Sequence, residues 1–465
     1  MIHPSRRRVL AASIAAIPGV RLLGGEPAAG TFYLPENPRY TIFDSVADSL
    51  RFTTGKCLTT CNGHVCATSS FVDPEGTAML WHDFGPLEGP GWAANAAGGA
   101  YELLSWGRFT GDAAMQRTAL SILDHVLNNG FLDGETGLIR GYRHIQRDQI
   151  VLNFKHNSDW FCPGSNAKVA TQLLLCSDLD RRRKDRLRAA ALAYSRWMDA
   201  HLKPLANGWF PRRCTPAGEH YTQAAEGGND KFFASSADGL FILQLWAELI
   251  ARGLADYRQK LAAGLRVFRQ AGPFLSSINH DTYDPEENVS ISVAFRVFRR
   301  CAEVLDDREL LTYALEKILP RLDRFKMAED RNGVATRGLL YMEDSWDTAY
   351  LWENAEASLA FMEAHTETRS RSYLADALTI LRACAKHHYG PHGFLTEGVD
   401  WNNHVGQQHH INNERFAAIK YTEPFLNNQH IAEPTLYYLT RHATVEDREG
   451  RKVYRDYEGN VLARI

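Results

Sequence analysis

From Trp92 onward the apolar residues recur at helical spacing, and the segments that carry this period come in twos. The spacing predicts helices over 93–109 with 112–129, 165–179 with 184–202, 233–252 with 254–270, 288–306 with 307–325, and 347–365 with 370–388. Within each pair the break is short: Thr110-Gly111, Asp180 to Arg183, Gly253, Asp306-Asp307 and Thr366 to Arg369. Between pairs the connections are long and rich in Gly, Asn, Asp, His and aromatics. A short break forces its two helices to lie antiparallel, so the chain reads as a string of helical hairpins. The pairs start at irregular intervals, which disfavours solenoids of tight period. Helices predicted over 42–52 and 428–441 flank the five pairs and complete a sixth from opposite ends of the chain, closing a ring.

If helices alternate up and down, every connection between pairs emerges on one rim. Segments 130–164, 203–232, 271–287, 326–346 and 389–427 then share that rim, and long loops inside a compact domain are usually functional. The layout resembles the (α/α)6 toroid superfamily, the six-hairpin fold of many glycoside hydrolases, uronate lyases and sugar epimerases. The resemblance covers roughly residues 40 to 441. It rests on the hairpin period and on loop phrases such as Asn129-Gly130-Phe131-Leu132, Asn207-Gly208-Trp209-Phe210, Arg331-Asn332-Gly333-Val334 and Pro391-His392-Gly393-Phe394. It implies an all-α toroid, a catalytic domain over 29–442, and a carbohydrate substrate in the ring mouth. The tail 443–465, with Glu449-Gly450 and Glu458-Gly459 between alternating residues, reads as a small hairpin or strap.

Composition narrows the partners. With 52 basic residues against 55 acidic ones, the chain lacks the excess that would make phosphate neutralisation the driving force, so nucleic acid is not expected. Ser5-Arg6-Arg7-Arg8-Val9-Leu10, followed by an apolar run to Val20, reads as an export signal over 1–28. Its arginine pair resembles the twin-arginine signal, which implies the twin-arginine export machinery and a periplasmic or secreted protein. No later apolar stretch is long enough to span a bilayer. Eight cysteines in such a compartment suit one or two disulfides or buried thiols. Cys57, Cys61 and Cys66, with His64 among them, match no standard zinc spacing.

Sugar sites need aromatic faces for the pyranose ring and carboxylates or amides for its hydroxyls. Trp160, Trp209, Trp346 and Trp401 fall in or beside the long loops, whereas Trp106, Trp197, Trp246 and Trp352 fall in helices and read as core. Glycoside hydrolysis needs one carboxylic acid and a second carboxylate. Candidates stand in His156-Asn157-Ser158-Asp159-Trp160, in Gly227-Gly228-Asn229-Asp230, in Asn279 to Asp284, and in Glu343-Asp344-Ser345-Trp346-Asp347 ahead of Glu353. Asp347 and Asp230 also read as helix caps. Mutual repulsion among Glu343, Asp344 and Asp347 favours Asp344 as the acid, with Asp159 as partner. The loop from Trp401 to Arg415 carries His404, His409 and His410 among asparagines. With Arg140, Tyr142, His144, Arg212, Arg213, His220 and Tyr221 it supplies the groups a uronate lyase or epimerase uses to neutralise a carboxylate and move a carbon-bound proton. A glycoside hydrolase is the first expectation, a lyase or epimerase the second, and a noncatalytic carbohydrate binder the third. None of them requires a cofactor.

Overall fold

A computed structural model describes residues 39–79, 85–155, 159–221, 235–276, 284–389, 393–401, 417–418, 421–448 and 450–465. The export-signal segment 1–28 lies outside them, as do His156, Asp230, His404, His409, His410 and Arg415.

The chain is an (α/α)6 toroid built from twelve helices among the described residues, with short strands in the connections. Six helices form an inner ring: α2 (Ala96–Thr110), α4 (Pro163–Leu179), α6 (Gly239–Ala251), α8 (Asn288–Leu305), α10 (Leu351–Thr368) and α12 (Ala432–Arg441). Each packs on the next, and α12 packs back on α2. The outer helices are α1 (Ile42–Lys56), α3 (Ala113–Asn128), α5 (Lys184–His201), α7 (Arg258–Ala271), α9 (Arg308–Tyr313) and α11 (Arg371–Ala385). The sixth hairpin pairs α12 with α1, from the two ends of the chain.

Burial separates the two rings as their sequences dictate. The inner α4 buries Pro163 to Leu174 almost without interruption, and α10 buries Leu351 to Ala364. Such helices are hemmed in all round. Outer α7 buries only Leu261, Gly264, Leu265 and Phe268, one stripe at three- and four-residue spacing, and leaves its arginines to water. Local signals set the ends. Thr41 and Asp44 form a capping box at α1, and the Asp112 carboxylate accepts the amides of Ala114 and Met115 at α3. Gly130, Gly208, Gly333 and Gly393 all hold positive φ, so the glycine phrases are left-handed turns.

Some expected boundaries shift. The helix expected from 233 starts at Gly239, and its partner starts at Arg258 after a turn from Arg252 to Tyr257. The helix expected over 307–325 is α-helical only to Tyr313, then a π turn over Ala314–Ile318 and a 3-10 stretch over Leu319–Phe325. Pro320, in the first turn of that stretch, has no amide to give an α-helical ladder. Asp347 does not cap α10. A strand, β6 (Thr348–Tyr350), intervenes, and the Asp347 carboxylate instead accepts the Trp401 indole N–H at 3.0 Å. The tail is a three-stranded meander over Thr444–Arg448, Arg451–Arg455 and Val461–Arg464, one strand more than a hairpin. All eight cysteines are free thiols rather than disulfides. Cys176, Cys301 and Cys384 sit buried in three different helices, packing as small hydrophobes.

Candidate functional site

The inner helices run parallel, and contacts between their first turns show it. A Cβ on Gly164, at the start of α4, would lie 2.1 Å from the carbonyl oxygen of Asp238 at the start of α6, so only glycine permits this approach. Asn288 opens α8 and donates to Glu353 in the first turn of α10 at 2.9 Å. Asn95, before α2, donates to the carbonyl of Phe425, which leads into α12, at 2.7 Å. These N-termini make one end of the ring. The partial positive charge of each helix start favours acidic groups there.

Three carboxyls follow one another around that end. Asp238 stands at α6, Glu287 at α8 and Glu353 within α10, and all three are buried. Burial pushes Asp238 up to about 7; Glu287 adds to the rise, while Arg212, Lys168 and Arg213 oppose it. Its Oδ1 has no hydrogen-bond partner among the described residues. Burial also holds Glu353 well above the usual carboxylate range, reinforced by Glu287, Glu343 and Glu397 against the Asn288 hydrogen bond. Burial therefore favours the protonated form of Glu353, and Asp238 is poised between acid and base.

Aromatic and cationic groups complete the mouth. Trp92 meets Trp352 edge-on at 5.6 Å between centroids and Phe241 at 5.7 Å. The Lys168 ammonium lies 3.9 Å from the Trp92 ring centre and 4.9 Å from that of Phe241. Burial lowers it to about 8.

The residues singled out in the sequence divide between this mouth and other places. Tyr142, Trp160 and Arg212 belong to it. Tyr142 is buried and its hydroxyl accepts the Ala93 amide at 3.3 Å, and both Tyr142 and Arg212 lie close enough to Asp238 to interact with its charge. Trp160 is buried with the Arg213 guanidinium over its ring at 4.3 Å and Tyr221 stacked at 5.6 Å, so its faces serve packing. Trp346 and Trp401 are buried beside the strand that precedes α10. Trp209 is a core residue, fully enclosed by Phe210, Phe268 and Phe274, with its indole N–H on the Ser236 carbonyl. Arg140 is half exposed and paired with Asp133 of its own turn. Asp159 is exposed. Asp344 is exposed too, accepting the Tyr341 hydroxyl at 2.9 Å and lying 3.5 Å from Arg324.

Sequence reading missed Asp238, Glu287 and Lys168. The available signal was the phrase Ser235-Ser236-Ala237-Asp238-Gly239, which marks a helix start but was absorbed into a helix expected from 233.

Fold and mouth together define the class: an (α/α)6 toroid with buried carboxyls at the helix N-termini. Among solved structures the chain is similar to cellobiose 2-epimerase from Bacillus thermoamylovorans, at TM-score 0.60 and 12% identity over 86% of this chain and 98% of that one. It is similar to a sugar epimerase from a ruminal bacterium at TM-score 0.56 and 13% identity over 86% and 98%. A family 76 glycoside hydrolase from a bovine Bacteroides thetaiotaomicron strain aligns at TM-score 0.54 and 11% identity over 85% and 77%. No sequence-family model and no curated protein matches the chain. At such identities the likeness is one of fold, and one fold hosts many chemistries.

Proposed function

We propose that this protein is a carbohydrate-active enzyme that works by carboxyl general acid–base catalysis in the ring mouth, with glycoside hydrolysis as the reaction. The observation that carries this reading is Asp238: a buried carboxyl near neutrality, at a helix N-terminus, sharing the neighbour Glu287 with a second buried and raised acid, Glu353. A group whose pKa lies near the working pH is the most effective proton donor and acceptor. Hydrolysis needs one protonated and one ionised carboxyl, and environments that push two pKa values apart supply both. Asp238 takes the ionised role, and Glu353 the role of proton donor. Trp92, Trp352 and Phe241, buried and packed on one another, form the apolar wall behind these carboxyls.

Epimerisation is the second reading. It is favoured by the near-complete overlap with two epimerase structures and by the three histidines of the loop from Trp401 to Arg415. A screen of the purified protein against neutral and uronic-acid oligosaccharides separates the two. New reducing ends without ultraviolet absorbance support hydrolysis. Deuterium incorporation from solvent into an otherwise intact sugar supports epimerisation, and an absorbing unsaturated product supports elimination. Binding with no turnover on any substrate, unaltered in Asp238→Asn, overturns the catalytic reading. Export by the twin-arginine route rests on Ser5 to Leu10 and is tested by locating the chain after Arg6 and Arg7 are replaced by Lys.

A further inference from the structure

The cysteine-rich segment near the N-terminus takes no part in the mouth, yet it builds a donor set of its own. Strands β1 (Leu58–Cys61) and β2 (His64–Ala67) form a hairpin whose register, Thr59 opposite Cys66 and Cys61 opposite His64, puts both Cys61 and Cys66 on one face. Cys66 is fully buried against α3. There it meets His125, from the last turn of α3, and Glu88, from strand β3 (Leu87–Glu88), both buried. The Cys66 sulfur, a Glu88 carboxylate oxygen and a His125 ring nitrogen all lie within 4.8 Å of one another.

We propose that Cys66, Glu88 and His125 form a structural site for a divalent cation of the zinc class, and that Arg143 holds the place of that cation in its absence. Thiolate, imidazole and carboxylate are the three donors such ions take, and here they converge from three separate elements. Arg143, on strand β4 (Tyr142–His144), already supplies a positive charge at this point. Its Nε donates to Glu88 at 2.5 Å and its Nη2 lies 3.9 Å from the Cys66 sulfur. Its remaining donor, Nη1, bonds the largely exposed Asp148 at 2.9 Å, so the guanidinium has an acid to retreat to.

Protons and charges balance on exchange. The Cys66 thiol proton passes to solvent, and the metal with one thiolate and the Glu88 carboxylate is neutral while Arg143 stays with Asp148. His125 Nδ1 now lies 2.6 Å from the Asn129 amide nitrogen and its Nε2 is 2.8 Å from Glu88, an arrangement in which Nε2 carries the proton. Metal at Nε2 moves that proton to Nδ1, where the Asn129 amide, turned over, accepts it. Because the thiol must release its proton to bind, binding strengthens as pH rises. The bound ion would tie β2, β3 and α3 together behind β4, whose Tyr142 belongs to the mouth.

The test is a cobalt(II) titration of the full chain after chelator treatment. The expected result is one equivalent bound, with thiolate-to-cobalt charge-transfer absorption and the intense visible bands of a tetrahedral site. Cys66→Ser should abolish the charge-transfer absorption. His125→Gln should weaken binding by roughly a hundredfold or more, beyond the ~10–100-fold range of outer-shell changes. Arg143→Gln, which vacates the place of the cation, should keep the absorption and tighten binding. No charge-transfer absorption in the unaltered protein overturns the proposal without any variant. So does absorption that survives Cys66→Ser, or binding weakened by Arg143→Gln.

Discussion

Two buried charge assemblies share the inner ring, and they are built differently. Deep in the ring, Arg296 on α8 pairs with Glu356 and, at 3.2 Å and 3.4 Å, with Glu363 and Glu433, while Arg299 takes a second oxygen of Glu363 at 3.2 Å. Asn428 adds a hydrogen bond to Glu356 at 3.0 Å. Burial alone would raise Glu356, but Arg296 and Lys168 outweigh it and leave its carboxyl below the usual range. At the mouth, Asp238 and Glu353 are equally buried but each keeps an oxygen without a hydrogen-bond partner among the described residues, and both carboxyls are raised. Satisfied charge holds helices in register. Unsatisfied charge is costly to keep, and its place at the mouth is where chemistry would use it.

The sharpest way to break this comparison is to remove the group that carries it. Asp238→Asn should lower turnover by about 10²–10⁴-fold while leaving the circular dichroism and melting temperature near those of the parent. Arg296→Met should do the reverse. It strands Glu356 and Glu433 from their arginine, leaving Glu363 to Arg299, and should destabilise the fold by about 3–5 kcal/mol in a denaturant titration, whatever its effect on turnover.

Stability against pH separates histidines from the mouth acid. Burial lowers His387 and His430 to about 4 and His388 to about 3. Their contribution is complete above the ordinary histidine value near 6.5 and is lost as pH falls through about 4, so acid melts should weaken by a few kcal/mol across that window. Asp238 acts oppositely, since a raised carboxyl favours folding at low pH and loses that contribution as pH rises through about 7. Lys168 opposes the rise of Asp238, so Lys168→Met should move the limb of the activity profile near pH 7 to higher pH. The smallest effect is expected at Asp344, whose ion pair with Arg324 is exposed: Asp344→Asn should change stability by less than about 1 kcal/mol and turnover by less than severalfold. A larger loss of turnover would move the acid role toward the rim.

The helical period was legible because burial writes it directly into the chain. Leu261, Leu265 and Phe268 announce one face of α7, and the unbroken apolar run Leu240 to Leu243 announces an enclosed helix. Short breaks such as Thr110-Gly111 fixed the antiparallel pairs and, through them, the common rim. The site was less legible. Asp344 stood out by sitting in a crowd of acids along the chain, but its own carboxyl stays in water while the neighbouring Glu343 is buried. Asp238 looked ordinary because the groups that set its acidity, Glu287 raising it and Lys168 and Arg212 opposing the rise, come from elements each more than twenty residues away. In the same way Trp209 resembled a rim platform until Phe268 and Phe274 closed over it.

Sequence alone thus determined the hairpins, their order and the end at which they open, since local period and loop length act on neighbours along the chain. Tertiary structure decided which carboxyls lose their water. Desolvation depends on everything packed around a group, and for Asp238, Glu353 and the trio around Cys66 that surrounding is assembled only when the ring closes.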